Sequence, residues 1–340
     1  MRGARTALVV VLLLGVAGSA AAGQMTLTRS GDLYRVAAGD DALVVNIRSA
    51  DGATSQLMIP QTTAVAADSL QVGVDETTGA LFVLWQEDAG MDASIRLATY
   101  VDGTWLGPTT IAGGDGTAAF NPQLLLQRKV SMITEEAEEG EEPVVTKLAT
   151  TFLHLVWWSQ ISEEDSGSAF YLAAPLGADG TPQLDGPGPS VVSDLLPYGI
   201  GCFDLEDTDS LKHPKLFVDP ASGLPHVFAT DFANCLFQII ELRPEVVEET
   251  LDDGAGKRRR HVVVLRTGAM IGLRPDLPLA SAKIEVGENL SLIMYWDGGE
   301  EGLLQFLELD QETISETKSL VLGEELSHEQ AVELIRGLTR

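Results

Sequence analysis

Leu70, Val72 and Val74 alternate with Gln71 and Gly73, the period of a strand with two unlike faces. A turn-rich DETTG at 75–79 follows, and the chain then runs apolar from Leu81 to Trp85 before turning polar at Gln86. The stretch 69–111, "SLQVGVDETTGALFVLWQEDAGMDASIRLATYVDGTWLGPTTI", predicts four strands: Leu70–Val74, Leu81–Gln86, Ser94–Val101 and Thr109–Ile111. Each is rich in β-formers, and Gly, Asp or Thr turn residues separate them.

The same order of events returns along the chain. "NPQLLLQ" at 121–127 opens a second such unit, "FLHLVWW" from Phe152 is its next strand and "SAFYLAAPL" at 168–176 the one after. "HPKLFVD" at 213–219 opens another, followed by "HVFAT" and by "CLFQIIEL" at 235–242. "SAKIEVG" at 281–287 opens a further one, followed by "LSLIMYW" and by "LLQFLEL" at 303–309. Before them, "GDLYRVAAGDDALVVNIRSADGATSQLMIPQ" holds three short strands, with Met25–Thr28 available as a fourth. Trp85, Trp157 and Trp296 mark equivalent points, and Ala229 stands at that point in the remaining unit. Equivalent four-stranded units predict an all-β fold, a β-propeller of five blades over residues 24–322. A pair of β-sandwiches also suits short strands and regular turns, although it does not require equivalent units. After the last strand, "SHEQAVELIRGLTR" begins with Ser327 and Gln330 in capping-box spacing, which predicts a short helical tail over 323–340.

Two insertions interrupt this regularity. The strand at 121–127 continues as "RKVSMIT", and after "EEAEEGEEP" a strand returns through "VVTKLATTF". Apolar residues alternate on both limbs, with Leu124, Leu126, Val130 and Met132 going out and Val144, Leu148 and Phe152 coming back. The expected tip carries Glu135, Glu136, Glu138, Glu139, Glu141 and Glu142. The second insertion leaves through "CLFQIIELRPEVVEET", turns at "LDDGAGK" and returns through "RRRHVVVLRTG". In a four-strand meander the first-to-second and third-to-fourth connections share a face. Both arms should therefore rise from one face of adjacent blades, with Lys257, Arg258, Arg259 and Arg260 available to the acidic tip.

Composition narrows the setting and the partners. "MRGARTALVVVLLLGVAGSAAAGQ" has two arginines, an apolar run and an Ala20-x-Ala22 pattern, so residues 1–23 read as a secretory signal peptide. The protein is thus expected outside the cytoplasm, in the periplasm or the extracellular space, with no membrane insertion once the signal is removed. The formal charge is −28, and losing Arg2 and Arg5 takes it to about −30. Such a surface repels phosphate backbones, which argues against nucleic acid, and it keeps an exported protein soluble. Cys202 and Cys235 are expected to form a disulfide in an oxidising compartment.

The unit at 69–111, with its Asp-Gly turn, its apolar strand ending in Trp85 and its "DGTW" at 102–105, resembles a blade of the sialidase-like, BNR-repeat propellers. That resemblance implies a propeller and, for the enzymes among them, an arginine cluster, a Tyr–Glu pair and an acidic proton donor. "DGTW" lacks the full Ser-x-Asp-x-Gly-x-Thr-Trp spacing, and Arg48 and Arg96 are the arginines of the strand core, with Arg128 and Arg258–Arg260 in the insertions. No catalytic residue is carried over. G-x-S-x-G, H-E-x-x-H and the phosphate-cradling loop are absent from the sequence. His154, His226 and His261 lie in apolar strands and read as packing or hydrogen-bonding residues. Asp204, Glu206, Asp207 and Asp209 alternate in one loop as hard oxygen ligands for Ca²⁺ would, although the loop lacks the Gly and Glu of an EF-hand. No other cofactor is implied. The expectation is a non-catalytic binding or scaffold module for a protein partner or a second copy of the chain. A polysaccharide- or glycan-active hydrolase is the alternative.

Overall fold

The computed structural model describes residues 25–321 except 40, 61–64, 67–68, 89, 115, 135–144, 163–166, 187, 193–211, 220–221, 232–235, 251–256, 273–282, 287–291, 298–302 and 310–317. The expected signal peptide and helical tail, Cys202, Cys235, the acidic stretch at Asp204–Asp209 and the glutamates expected at the first arm's tip lie outside the described residues.

Among the described residues, twenty strands form five four-stranded antiparallel sheets, each a meander in chain order. The first holds β1 (Met25–Leu27), β2 (Leu33–Ala38), β3 (Ala42–Arg48) and β4 (Thr54–Pro60). The second holds β5 (Gln71–Val74), β6 (Leu81–Glu87), β7 (Ser94–Val101) and β8 (Thr104–Gly113). In the third are β9 (Ala118–Thr134), β10 (Val145–Gln160), β11 (Ser168–Pro175) and β12 (Ser190–Val191). The fourth comprises β13 (Lys215–Val218), β14 (Pro225–Asp231), β15 (Leu236–Thr250) and β16 (Lys257–Gly272). The fifth comprises β17 (Lys283–Val286), β18 (Leu292–Asp297), β19 (Leu303–Leu309) and β20 (Lys318–Val321). β9 begins three residues before Asn121, at Ala118, and β8 departs furthest from expectation. β8 begins at Thr104, because Asp102 and Gly103 alone take positive φ (49° and 81°) and complete the turn, leaving Trp105 inside the strand.

Each sheet packs on the next through its first strand: β1 against β5, β5 against β9, β9 against β13 and β13 against β17. This explains why β6 is apolar without interruption. Leu81, Val83 and Trp85 pack with Val36, Val45 and Ile59 of the first sheet, while Phe82 and Leu84 pack with Leu153, Leu155 and Trp157 of the third. β10 repeats the arrangement, with Val156 and Trp158 turned to a third layer that includes Phe217, Val227 and Met294. Trp85 and Trp157 therefore occupy the same place, each facing the preceding sheet. Ala229, at the corresponding point of the fourth sheet, is also buried, without a large side chain of its own. At Gly73 a Cβ would stand 2.5 Å from Leu124 Cδ2, so the leucine of β9 packs over the glycine of β5.

The turns between first and second strands have a common mechanism. In the second sheet Asp75 N donates to Ala80 O (2.9 Å) and Gly79 N to Asp75 O (2.7 Å). In the fourth, Asp219 N donates to Leu224 O (2.9 Å) and Gly223 N to Asp219 O (2.7 Å). Each carboxylate folds back on its own turn, accepting from Thr77 N and Thr78 Oγ1 or from Ser222 N. DETTG and DPASG are thus one device written twice. First strands would leave a row of unpaired backbone groups at the sheet edge. Side chains from the preceding sheet take some of them: Thr26 Oγ1 donates to Val72 O, and Leu216 N donates to Gln123 Oε1 (3.0 Å).

Candidate functional site

A belt of contacts joins the turns of successive sheets on one side of the molecule. Ala50 N donates to Asp32 Oδ1 (2.9 Å), linking the two turns of the first sheet, and Arg29 N donates to Glu76 Oε1 (2.8 Å) in the second. Thr151 Oγ1 donates to Asp75 Oδ1 (3.4 Å), and Gln127 Nε2 donates to Gly223 O in the fourth sheet. Both insertions leave from this belt. β9 and β10 stay paired out to Thr134↔Val145, and β15 and β16 out to Thr250↔Lys257, so each insertion is a two-stranded ribbon continuous with its sheet. Lys129 Nζ on the first ribbon donates to Pro244 O on the second (2.9 Å). The arms rise side by side from the same face.

Register gives each arm its faces. On the first, Val130 lies opposite Ala149 and stays 58% exposed, on the face where Leu124 and Leu126 pack further down. Leu148 and Phe152 fall on the other face, opposite Ser131 and Gln127. The apolar alternations of the two limbs therefore sit on opposite faces, and neither face is wholly apolar. On the second arm, Leu242, Val263 and Leu265 join the core at the base, while Val264 is 36% exposed.

Lys257 begins β16, and register sets Arg258 opposite Glu249, Arg259 opposite Glu248 and Arg260 opposite Val247. Two of the three arginines thus have glutamates of their own arm as register partners.

At the foot of the first arm lies a cleft of about 360 Å³, lined by Asp75, Thr77, Thr78, Thr150, Thr151 and Gln183 together with the chain from Pro175 to Ala178. Its hydroxyls suit a polar ligand. Its one carboxylate, Asp75, is buried and engaged by its own turn and by Thr151.

His154 and His226 are buried side chains of their sheets. His154 Nδ1 is 2.6 Å from Tyr171 Oη inside the third sheet, and burial raises the Tyr171 hydroxyl above its ordinary value, so it stays protonated. His226 Nδ1 donates to Leu224 O (3.0 Å), with Nε2 4.0 Å from Glu241 Oε2. The side chain of His261 is outside the described residues. Among the described residues no group of three His, Cys, Asp or Glu could hold a metal ion, and no helix is long and apolar enough to cross a membrane.

Two residues escaped the sequence. Lys215 is buried on β13, and desolvation lowers its amine to about 8. Its signal is a cation at a core position of an alternating strand, with Phe217 two residues on in the core. Lys129 and Arg128 beside it occupy opposite faces of the ribbon, which register alone decides. No protein-family model matches the chain, and no curated protein matches it either.

Proposed function

We propose that the five sheets close around one axis as a five-bladed β-propeller of the sialidase-like kind, and that the protein is an exported binding or scaffold module. It takes a protein partner, or a second copy of itself, on the turn face through its two arms. What carries the reading is the hydrogen bond from Lys129 to Pro244, which couples the arms over a single face. What supports the ring is the packing of each first strand on the next. Two-stranded ribbons are marginal in water by themselves. Paired arms that carry exposed Val130 and Val264 beyond the core have more to gain from a partner than from solvent.

The test is a chain lacking residues 133–143 and 247–259. With its β circular dichroism intact, it should lose capture of its partner in affinity purification, or its self-association by light scattering. Unchanged capture and mass would reject the arms as the binding element. Export would give a mature chain starting near Gln24, and the Cys202–Cys235 disulfide would leave no titratable thiol in the unfolded, non-reduced protein; intact mass and thiol titration test both.

A glycan ligand is the second reading, favoured by the hydroxyl-lined cleft at the foot of the first arm. Glycan-array binding lost on Thr78→Val or Thr151→Val would support it.

A further inference from the structure

The cleft at the foot of the first arm lies between the second and third sheets, and three walls hold it. The turn that opens at Asp75 is one, the foot of β10 is the next, and the chain that follows β11 is the third. That chain is tied down along its length. Leu176 N donates to Thr151 O (2.8 Å), Gln183 N to Pro175 O (2.9 Å) and Gly177 N to Thr181 O (2.8 Å). Its tip rests on the turn, because a Cβ at Gly180 would stand 2.7 Å from Thr78 Oγ1 and from Ala80 Cβ. The cleft is thus formed in advance, which spares a ligand the cost of ordering it.

Asp75 decides which way the hydroxyls point. It is buried, and its Oδ1 accepts from Thr77 N (3.2 Å) and Thr151 Oγ1 (3.4 Å) while Oδ2 accepts from Thr78 Oγ1 (2.8 Å). A carboxylate only accepts, so both threonine protons are committed to it. Thr78 Oγ1 also takes the proton of Ala80 N (3.3 Å). What Thr78 and Thr151 have left for the cleft is oxygen lone pairs. Both serve one carboxylate, so these two acceptors lie close together. The Thr77 hydroxyl and the Gln183 amide can each donate or accept, and Ala149, Pro175 and Leu176 add apolar surface.

The charges around the cleft agree with the hydroxyls. Glu76 stands between Asp75 and Thr77 in one wall, and Asp179 follows Ala178 in another. Against them is Arg128, exposed and in register with Thr151. The rim keeps a negative balance, in a chain of formal charge −28. An anionic ligand would meet that field and then set acceptor against acceptor. A cation would find Asp75 already shared among three donors. A ligand bearing hydroxyls brings donors to the two fixed acceptors and C–H faces to the apolar wall.

We propose that this cleft takes the uncharged end of a saccharide, two neighbouring hydroxyls donating to Thr78 Oγ1 and Thr151 Oγ1, and that it discriminates against sugars carrying a carboxylate or sulfate. This rests on the glycan reading above and names the class of glycan.

The test is binding of the full chain to an array of neutral saccharides printed beside their carboxylate- and sulfate-bearing counterparts, with titration calorimetry on those that bind. Neutral members should bind, and the charged counterparts at least about tenfold more weakly, because a fixed acceptor cannot pair with another acceptor. Thr151→Val should abolish the binding, and Thr151→Ser, which keeps the hydroxyl, should retain it. Gln183→Ala, at an exposed position, should weaken it about fivefold and serves if the valine variant does not fold. Asp75→Asn should narrow the preference, since an amide nitrogen does not accept and one threonine proton is released to the cleft. Charged saccharides bound as tightly as neutral ones would overturn the proposed class and leave the glycan reading standing. An array without a single bound member would defeat the glycan reading itself. Neutral binding that survives both Thr151→Val and Gln183→Ala, or an unchanged preference in folded Asp75→Asn, would overturn the assignment of this site.

Discussion

From Phe152 to Trp158, β10 is buried on both faces, yet a few residues earlier Ala149 and its register partner Val130 stand exposed to solvent. The same backbone ladder runs through both regions without a break in secondary structure. The inner region is held by the side chains of two neighbouring sheets, Trp157 toward the second and Trp158 toward the fourth. The outer region has its ladder and the lysine bridge to the other arm. Hydrogen bonding thus shapes both regions, while burial stabilises only one, and the arm is left with surface to offer.

Substitutions should separate the two regions sharply. Trp157→Ala removes a side chain packed among Phe82, Leu84 and Leu155 and should cost about 3–5 kcal/mol in denaturant unfolding. Val130→Ser on the arm should change stability by less than about 0.5 kcal/mol. Equal costs would erase the distinction.

Lys215→Met tests the inner region from the opposite direction. Burial lowers this amine from 10.5 to about 8. Between those values the unfolded chain holds a proton that the folded chain has released, so stability should rise with pH across that window. Below about pH 8 the full cost of the buried charge is present, and removing it should stabilise the protein by about 2–3 kcal/mol at pH 7. Unfolding of the wild type and the variant across pH 7–10 checks both the sign and the loss of the slope.

Smaller effects should follow at the turns. Asp75→Ala and Asp219→Ala each remove a carboxylate that organises the same backbone geometry, and each should cost about 1 kcal/mol. Lys129→Ala should be nearly neutral in global unfolding while hydrogen exchange accelerates in β9 beyond Gln127 and in β15 beyond Leu242. Unchanged exchange would mean the arms do not lean on each other.

Period-two alternation and turn residues made most strands legible, including Ser94–Val101 to the residue. The recurring Asp-to-Gly turn was legible because a carboxylate closing its own loop acts locally. The start of β8 was not, since Thr104 and Trp105 follow a turn dipeptide closely enough to read as part of it. Long-range register was also hidden. Nothing in "KRRR" says that Arg258 and Arg259 lie opposite Glu249 and Glu248, and nothing in "QRKV" separates Lys129 from Arg128. Lys215 was visible as a residue but its burial depends on three sheets meeting around β13. Local chemistry reads from sequence; coincidences of distant strands do not.

The central claim is that the two arms form one unit over one face, and a distance between them tests it most directly. Nitroxide labels at the exposed Val130 and Val264, with Cys202 and Cys235 replaced by serine, would report that distance by pulsed electron spin resonance. The account predicts a single narrow distribution at a separation set by ribbons packed about 10 Å apart, plus the reach of the labels, broadened by Lys129→Ala. A broad distribution in the unaltered protein, or a separation spanning opposite faces of the molecule, would contradict it.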